Sequence, residues 1–147
     1  MDLLSQARIL GPAGETQAVA GKVLLYFSAG WCPDCVAFGP EITKAHGELK
    51  DQVTVVYVPS ETAQEEVTKA HTDNNWGAWP TVAVGDPAVA GLKKLFGVCA
   101  NKEMQGLGLT ERKAGLPGLV LLGAGGEVLC GPVDGSGEAL EQVKQKL

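Results

Sequence analysis

Cys32-Pro33-Asp34-Cys35 sits directly after the apolar run Val23-Leu24-Leu25-Tyr26-Phe27-Ser28 and opens a helical pattern over residues 34–50. That junction constrains the fold more than any other feature. A short apolar run without polar alternation reads as a strand buried on both faces, which calls for a sheet with layers on either side. The helix beyond it carries Val36, Phe38, Ile42, Ala45 and Leu49 at mixed spacings of three and four, the mark of one buried stripe. Two cysteines three residues apart share one helical face, so their sulfurs can bond or exchange with little backbone movement. Cys32 falls at the helix N-terminus, where unpaired N–H groups and the macrodipole favour a thiolate. Pro33 fits the first helical position, where its missing N–H costs nothing. The expected chemistry is thiol–disulfide exchange: Cys32 attacks a disulfide, a mixed disulfide forms, and Cys35 resolves it.

Asp34 has two readings, and both stay open. One is an acid in the first turn, favourable to the helix whatever the chemistry. The other is a negative charge beside the thiolate, raising the Cys32 pKa relative to a neutral residue. The two separate on Asp34→Pro: an unchanged thiol titration leaves only the helix-terminal reading.

The rest of the chain fills in an α/β fold. A β-branched run at 53–58 is a second strand, and residues 61–72 form a polar helix that Ser60 caps. A short strand near 81–84, a helix near 87–97 and an edge strand at 7–10 follow from the same patterns. Gly123-Ala124-Gly125-Gly126 separates strands at 118–122 and 127–130 as a hairpin, and a last helix covers 137–147. This order describes a central mixed β-sheet flanked by helices on both faces. No repeat or linker divides the chain, so residues 1–147 read as a single domain.

Composition removes several function classes. Acids outnumber bases 17 to 12, a net charge of −5, which argues against a nucleic-acid partner. No uncharged run reaches the ~18–20 residues that a membrane helix requires, and the start of the chain lacks a basic segment followed by an apolar one. A cytoplasmic location is the default expectation, and a reducing cytosol disfavours structural disulfides. A zinc site would want four close Cys or His ligands. Cys99 and Cys130 lie far from the pair, and His46 and His71 stand alone, so no metal and no cofactor are expected. Cys99 and Cys130 read as small buried hydrophobes, with a regulatory thiol at Cys99 on a flexible segment as the alternative.

These residues together resemble the thioredoxin superfamily, most closely its tryparedoxin and nucleoredoxin branch. The match runs through residues 20–32, with Tyr26 where thioredoxins carry a buried Asp, and through Phe38 and Pro40, which should kink the helix. It continues through Trp76-Gly77-Ala78-Trp79-Pro80, Leu95-Phe96-Gly97-Val98 and Leu116-Pro117-Gly118-Leu119-Val120-Leu121-Leu122. The resemblance implies a thioredoxin-like fold. It also implies a cis Pro117 beside Cys32, and Leu116 pairing with an extended substrate strand. Trp31 would be a half-exposed platform for the substrate, and Trp76 and Trp79 either flank the same groove or pack in the core. The chain departs from the branch at Asp34 and Val36, where Pro and Arg are usual, and at Gly118, where Thr is usual and a missing side chain would open the groove. Leu129-Cys130-Gly131-Pro132-Val133-Asp134 carries no base where an Arg is usual. Residues 99–115 form an insertion.

The resemblance implies a monomeric protein-disulfide reductase that takes electrons from a small dithiol or a reductase. Its substrate would be a disulfide-containing protein, a peroxiredoxin among the candidates. The other class is a non-catalytic, redox-sensing binding module of nucleoredoxin type.

Overall fold

A computed structural model describes residues 2–147, in the order α1 (Asp2–Gln6), β1 (Ile9–Leu10), β2 (Val23–Ser28), α2 (Pro33–Leu49), β3 (Thr54–Pro59), α3 (Gln64–Asn74), β4 (Thr81–Val82) and α4 (Pro87–Phe96). A 3-10 turn (Asn101–Glu103), α5 (Met104–Leu107), β5 (Gly118–Leu122), β6 (Val128–Asp134) and α6 (Gly137–Gln145) complete it. The strands form a six-stranded mixed sheet in the order β1-β4-β3-β2-β5-β6. β2, β3 and β4 run parallel, while β5 lies antiparallel to β2, β6 to β5 and β1 to β4.

β2 lies inside the sheet, between β3 and β5, and all six of its residues are buried. Successive side chains alternate faces. Leu24 and Tyr26 join Phe38 and Ile42 of α2, Val67 of α3 and Leu140 and Val143 of α6 in one core. On the other face Val23, Leu25 and Phe27 join Leu92 and Phe96 of α4, with Leu3 and Leu4 of α1 packed against them. At roughly 1.5–3 kcal/mol for each large apolar side chain fully buried, these two layers hold the β2–α2 junction in place. α2 runs for 17 residues with Pro40 inside it.

The structure differs from expectation in places where partners come from elsewhere in the chain. α3 starts at Gln64, not residue 61, behind Ala63, which makes no side-chain cap. Ser60 is therefore not its cap; its hydroxyl donates to Glu103 Oε1 at 2.9 Å and accepts from Lys93 Nζ at 2.9 Å. β3 begins and ends one residue later than expected, and β6 continues past residue 130 to Asp134. The sequence pattern gives no sign of α1; Leu3 holds it against α4 at Gly91, where a Cβ would lie 3.1 Å from the leucine side chain.

Gly118 is buried and does not open the groove. A Cβ there would run into Val98 and come within 2.7 Å of the Gly115 carbonyl oxygen. The bare backbone lets β5 pack beneath the Val98↔Ala114 bridge that closes residues 99–115. Gly118→Ala should therefore destabilise the protein by about 1–3 kcal/mol through overpacking. Denaturant unfolding of the two proteins checks this, and equal midpoints would show that the space is not limiting.

Candidate functional site

Cys32 is the N-cap of α2, with φ −92° and ψ 115°. Its sulfur accepts the Cys35 backbone N–H at 3.3 Å and lies 3.8 Å from the Leu116 carbonyl oxygen, to which the thiol donates. The potential nucleophile thus completes the hydrogen bonding of the helix it begins. Pro33 occupies the first turn beside exposed Asp34. Cys32 is 8% exposed and Cys35 fully buried, both as free thiols. Burial, with the Cys32 sulfur beside it adding to the effect, pushes the Cys35 thiol up to about 12.

The facing wall is the Leu116–Pro117 segment, whose peptide bond is cis, as is that of Gly131–Pro132. Pro117's carbonyl accepts from Gly135 N at 2.8 Å, and Asp134 accepts from Gly115 N at 2.9 Å, tying this wall to the end of β6. A groove of about 800 Å³ runs between the two walls, lined by Trp31, Cys32, Asp34, Arg112, Leu116 and Pro117 among others. The structure therefore brings together Trp31, Cys32, Asp34, Leu116 and Pro117, with Cys35 directly beneath.

Trp31 is 43% exposed, but its ring is not bare. Lys102 Nζ stands 3.7 Å over its centroid, and its indole N–H donates to the Ser60 carbonyl at 3.1 Å. Trp76 and Trp79 are buried in the core beside Tyr26 and Tyr57 rather than at the groove. Trp79 Nε1–H donates to His71 Nε2 at 2.9 Å. Cys99 is fully buried, its thiol pushed up chiefly by burial, and Cys130 is half-buried against the core. Among the described residues, no three His, Cys, Asp or Glu side chains come together as metal ligands would.

Residues 99–115 are fastened beside the groove. Glu103 accepts from Lys93 Nζ at 2.6 Å, from the Ser60 hydroxyl and from Ala100 N, with Lys93 only 4% exposed. Arg112 Nη1 donates to the Cys99 carbonyl at 2.6 Å, which sets its guanidinium in the groove wall. Sequence reasoning looks for a base in residues 129–134 and misses this one. It also misses Glu61, which is 7% exposed and accepts from Gly30 N at 3.0 Å and from the Tyr57 hydroxyl at 3.0 Å.

A mixed sheet with a dithiol at the N-terminus of its second helix defines a thioredoxin-like protein. The thioredoxin-like family model matches residues 21–128, and the chain belongs to that family. In sequence it is similar to probable nucleoredoxin 1 of Arabidopsis thaliana, 33% identical over 109 residues, covering 69% of this chain and 18% of that protein. Probable nucleoredoxin 2 of Oryza sativa subsp. japonica is 31% identical over 136 residues, covering 86% of this chain and 30% of its own. The chain thus spans less than a third of these relatives. In structure it is similar to thioredoxin from Wuchereria bancrofti, with a TM-score of 0.72 at 26% identity over 97% of this chain and 94% of that one. Tryparedoxin I from Leishmania major shares the fold, with a TM-score of 0.68 at 17% identity over 98% and 90%.

Removing the Glu103 charge strands the buried Lys93 ammonium, the costly way to break a buried pair. Glu103→Gln is expected to lower stability by about 3 kcal/mol and to speed proteolysis within 99–115. A change below about 0.5 kcal/mol, with unaltered cleavage, would show that the pair is not the anchor.

Proposed function

We propose that this protein is a thiol–disulfide oxidoreductase, a single thioredoxin-like domain that reduces protein disulfides through Cys32 and Cys35 in a reducing compartment such as the cytosol. The observation that carries this is the unequal placement of the two thiols. Cys32 opens to the groove at a helix N-terminus, and Cys35 lies sealed beneath it within one turn. In this reading the Cys32 thiolate attacks the substrate disulfide and the first substrate sulfur leaves. Cys35 then attacks Cys32 Sγ, releasing the second substrate sulfur and leaving a Cys32–Cys35 disulfide for a small dithiol or a reductase to reduce. Pro33 presets the helical turn and Asp34 tunes the charge beside the nucleophile. Leu116 and Pro117 offer backbone to an extended substrate segment, with Trp31 flanking it. Peroxiredoxin disulfides are substrates that the likeness to tryparedoxins suggests.

A second reading, a redox-sensing binding module, draws support from the sequence similarity to the nucleoredoxins. There the groove holds a partner and turnover is incidental.

Reduction of insulin and of a peroxiredoxin, assayed in parallel with trypanothione, glutathione and thioredoxin reductase, tests the first reading. Turnover is expected with at least one donor, abolished in Cys32→Ser and arrested in Cys35→Ser as a stable mixed disulfide. Absence of turnover with every donor, alongside partner pull-down retained by the double Cys32→Ser, Cys35→Ser protein, would select the module.

A further inference from the structure

Among the described residues that line the groove, Arg112 is the one Lys or Arg. It comes from the end of the 99–115 segment, just before the Leu116–Pro117 wall, and two features hold its guanidinium there. Nη1 donates to the Cys99 carbonyl oxygen at 2.6 Å. The guanidinium also lies against the bare backbone of Gly115, where a Cβ would come within 2.9 Å of Nη1 and 3.3 Å of Nη2. Gly115 is itself fixed, its N–H donating to Asp134 at 2.9 Å. The half-buried fork is therefore part of the wall rather than a side chain trailing from the surface.

A guanidinium carries several N–H donors in a planar fork and keeps its charge at any physiological pH. Arg112 commits Nη1 to Cys99, and among the described residues no carboxylate forms an ion pair with it. The acids of the groove are placed elsewhere. Asp134 bonds to Gly115, the Glu41 carboxylate faces Gly137 at the start of α6, and Asp34 stands in the first turn of α2 on the other wall. A charged fork with donors left over, beside a nucleophile, matches a carboxylate in shape and sign.

We propose that Arg112 receives a carboxylate next to the disulfide that Cys32 attacks, so that this protein prefers disulfides flanked by an acidic group, above all an acidic side chain beside a substrate cysteine. The inference rests on the exchange reading above. Cys32 Sγ bonds to one sulfur of the disulfide, and the other sulfur leaves with the electron pair of the broken S–S bond and takes a proton from solvent. Arg112 makes and breaks no covalent bond; it selects the substrate. Its bond to Cys99 already orders the side chain, so little rotamer freedom is lost when an anion arrives. Asp34 on the α2 wall repels a carboxylate placed on that side, so the groove discriminates by where the charge lies. Lys102 stands over the Trp31 ring and adds positive charge from the same segment.

Two aromatic disulfides of unlike charge test this: 5,5′-dithiobis(2-nitrobenzoate) carries a carboxylate on each ring, and 4,4′-dithiodipyridine carries none. The second-order rate constant of the reduced full chain is measured with each, and the ratio is read after subtracting the reaction of the other thiols in Cys32→Ser. A change in the Cys32 thiolate population acts on both probes and cancels. Arg112→Ala should lower the carboxylate-to-neutral ratio by about 10-fold. Gly115→Ala, which keeps the charge but pushes the fork aside, should lower it in the same direction. Disulfide-bridged peptides with Glu or Gln beside the cysteine, and oxidised glutathione against its ethyl ester, then identify the source. An Arg112-dependent preference for the Glu peptide assigns the site to acidic protein segments, and one confined to oxidised glutathione assigns it to a small acidic thiol. Ratios in both Arg112→Ala and Gly115→Ala equal to that of the wild type would overturn the proposal. A Cys32→Ser protein that reacts with both probes as fast as the wild type would instead overturn the exchange reading beneath it.

Discussion

The hydrogen bond from Cys35 N–H to Cys32 Sγ joins the chemistry of this protein to its folding. A helix that starts in the mouth of a groove leaves its first amides without partners. Here the sulfur that would react fills one of those vacancies. The same bond fixes the sulfur's direction toward the Leu116 carbonyl. It also sets the second thiol one turn below the first. Everything that holds β2 inside the sheet and α2 against it therefore also aims the sulfur.

Around that point the structure separates apolar and polar work. The two layers on either face of β2 are closely apolar, yet two buried polar pairs lie among them, Ser28 with Tyr26 and Tyr57 with Glu61. Buried polar groups are tolerated when each has a partner, and these do. Tyr26 belongs to both systems. Its ring packs edge-on against Phe38, Tyr57 and Trp79 while its oxygen accepts from Ser28.

What is legible in the sequence is local. The run 23–28, the Cys-x-x-Cys step and the glycine-rich hairpin each carry their signal within a dozen residues, and each forms. Pro33 at the helix start follows from its own covalent geometry. The parts that escape are long-range pairings. Ser60 has the side chain of a helix cap, but Lys93 and Glu103 claim its hydroxyl, so the helix starts later and uncapped. Glu61 reaches Gly30 across 31 positions, and Arg112 enters the groove wall only because 99–115 folds back on Cys99. Gly118 reads as an open space because its neighbours, Val98 and Gly115, are remote in sequence or belong to a segment with no pattern of its own.

Residues 99–115 leave the body of the protein and return to it at nearly one point, since Val98 and Ala114 bridge each other in parallel. A loop whose ends already meet transmits little of its own length to the sheet, and closure entropy grows only slowly with added residues. One face of the groove can therefore be lengthened, shortened or rewritten while β2, α2 and the paired sulfurs stay where they are. In this architecture the reacting atoms and that face of the groove are free to change at different rates.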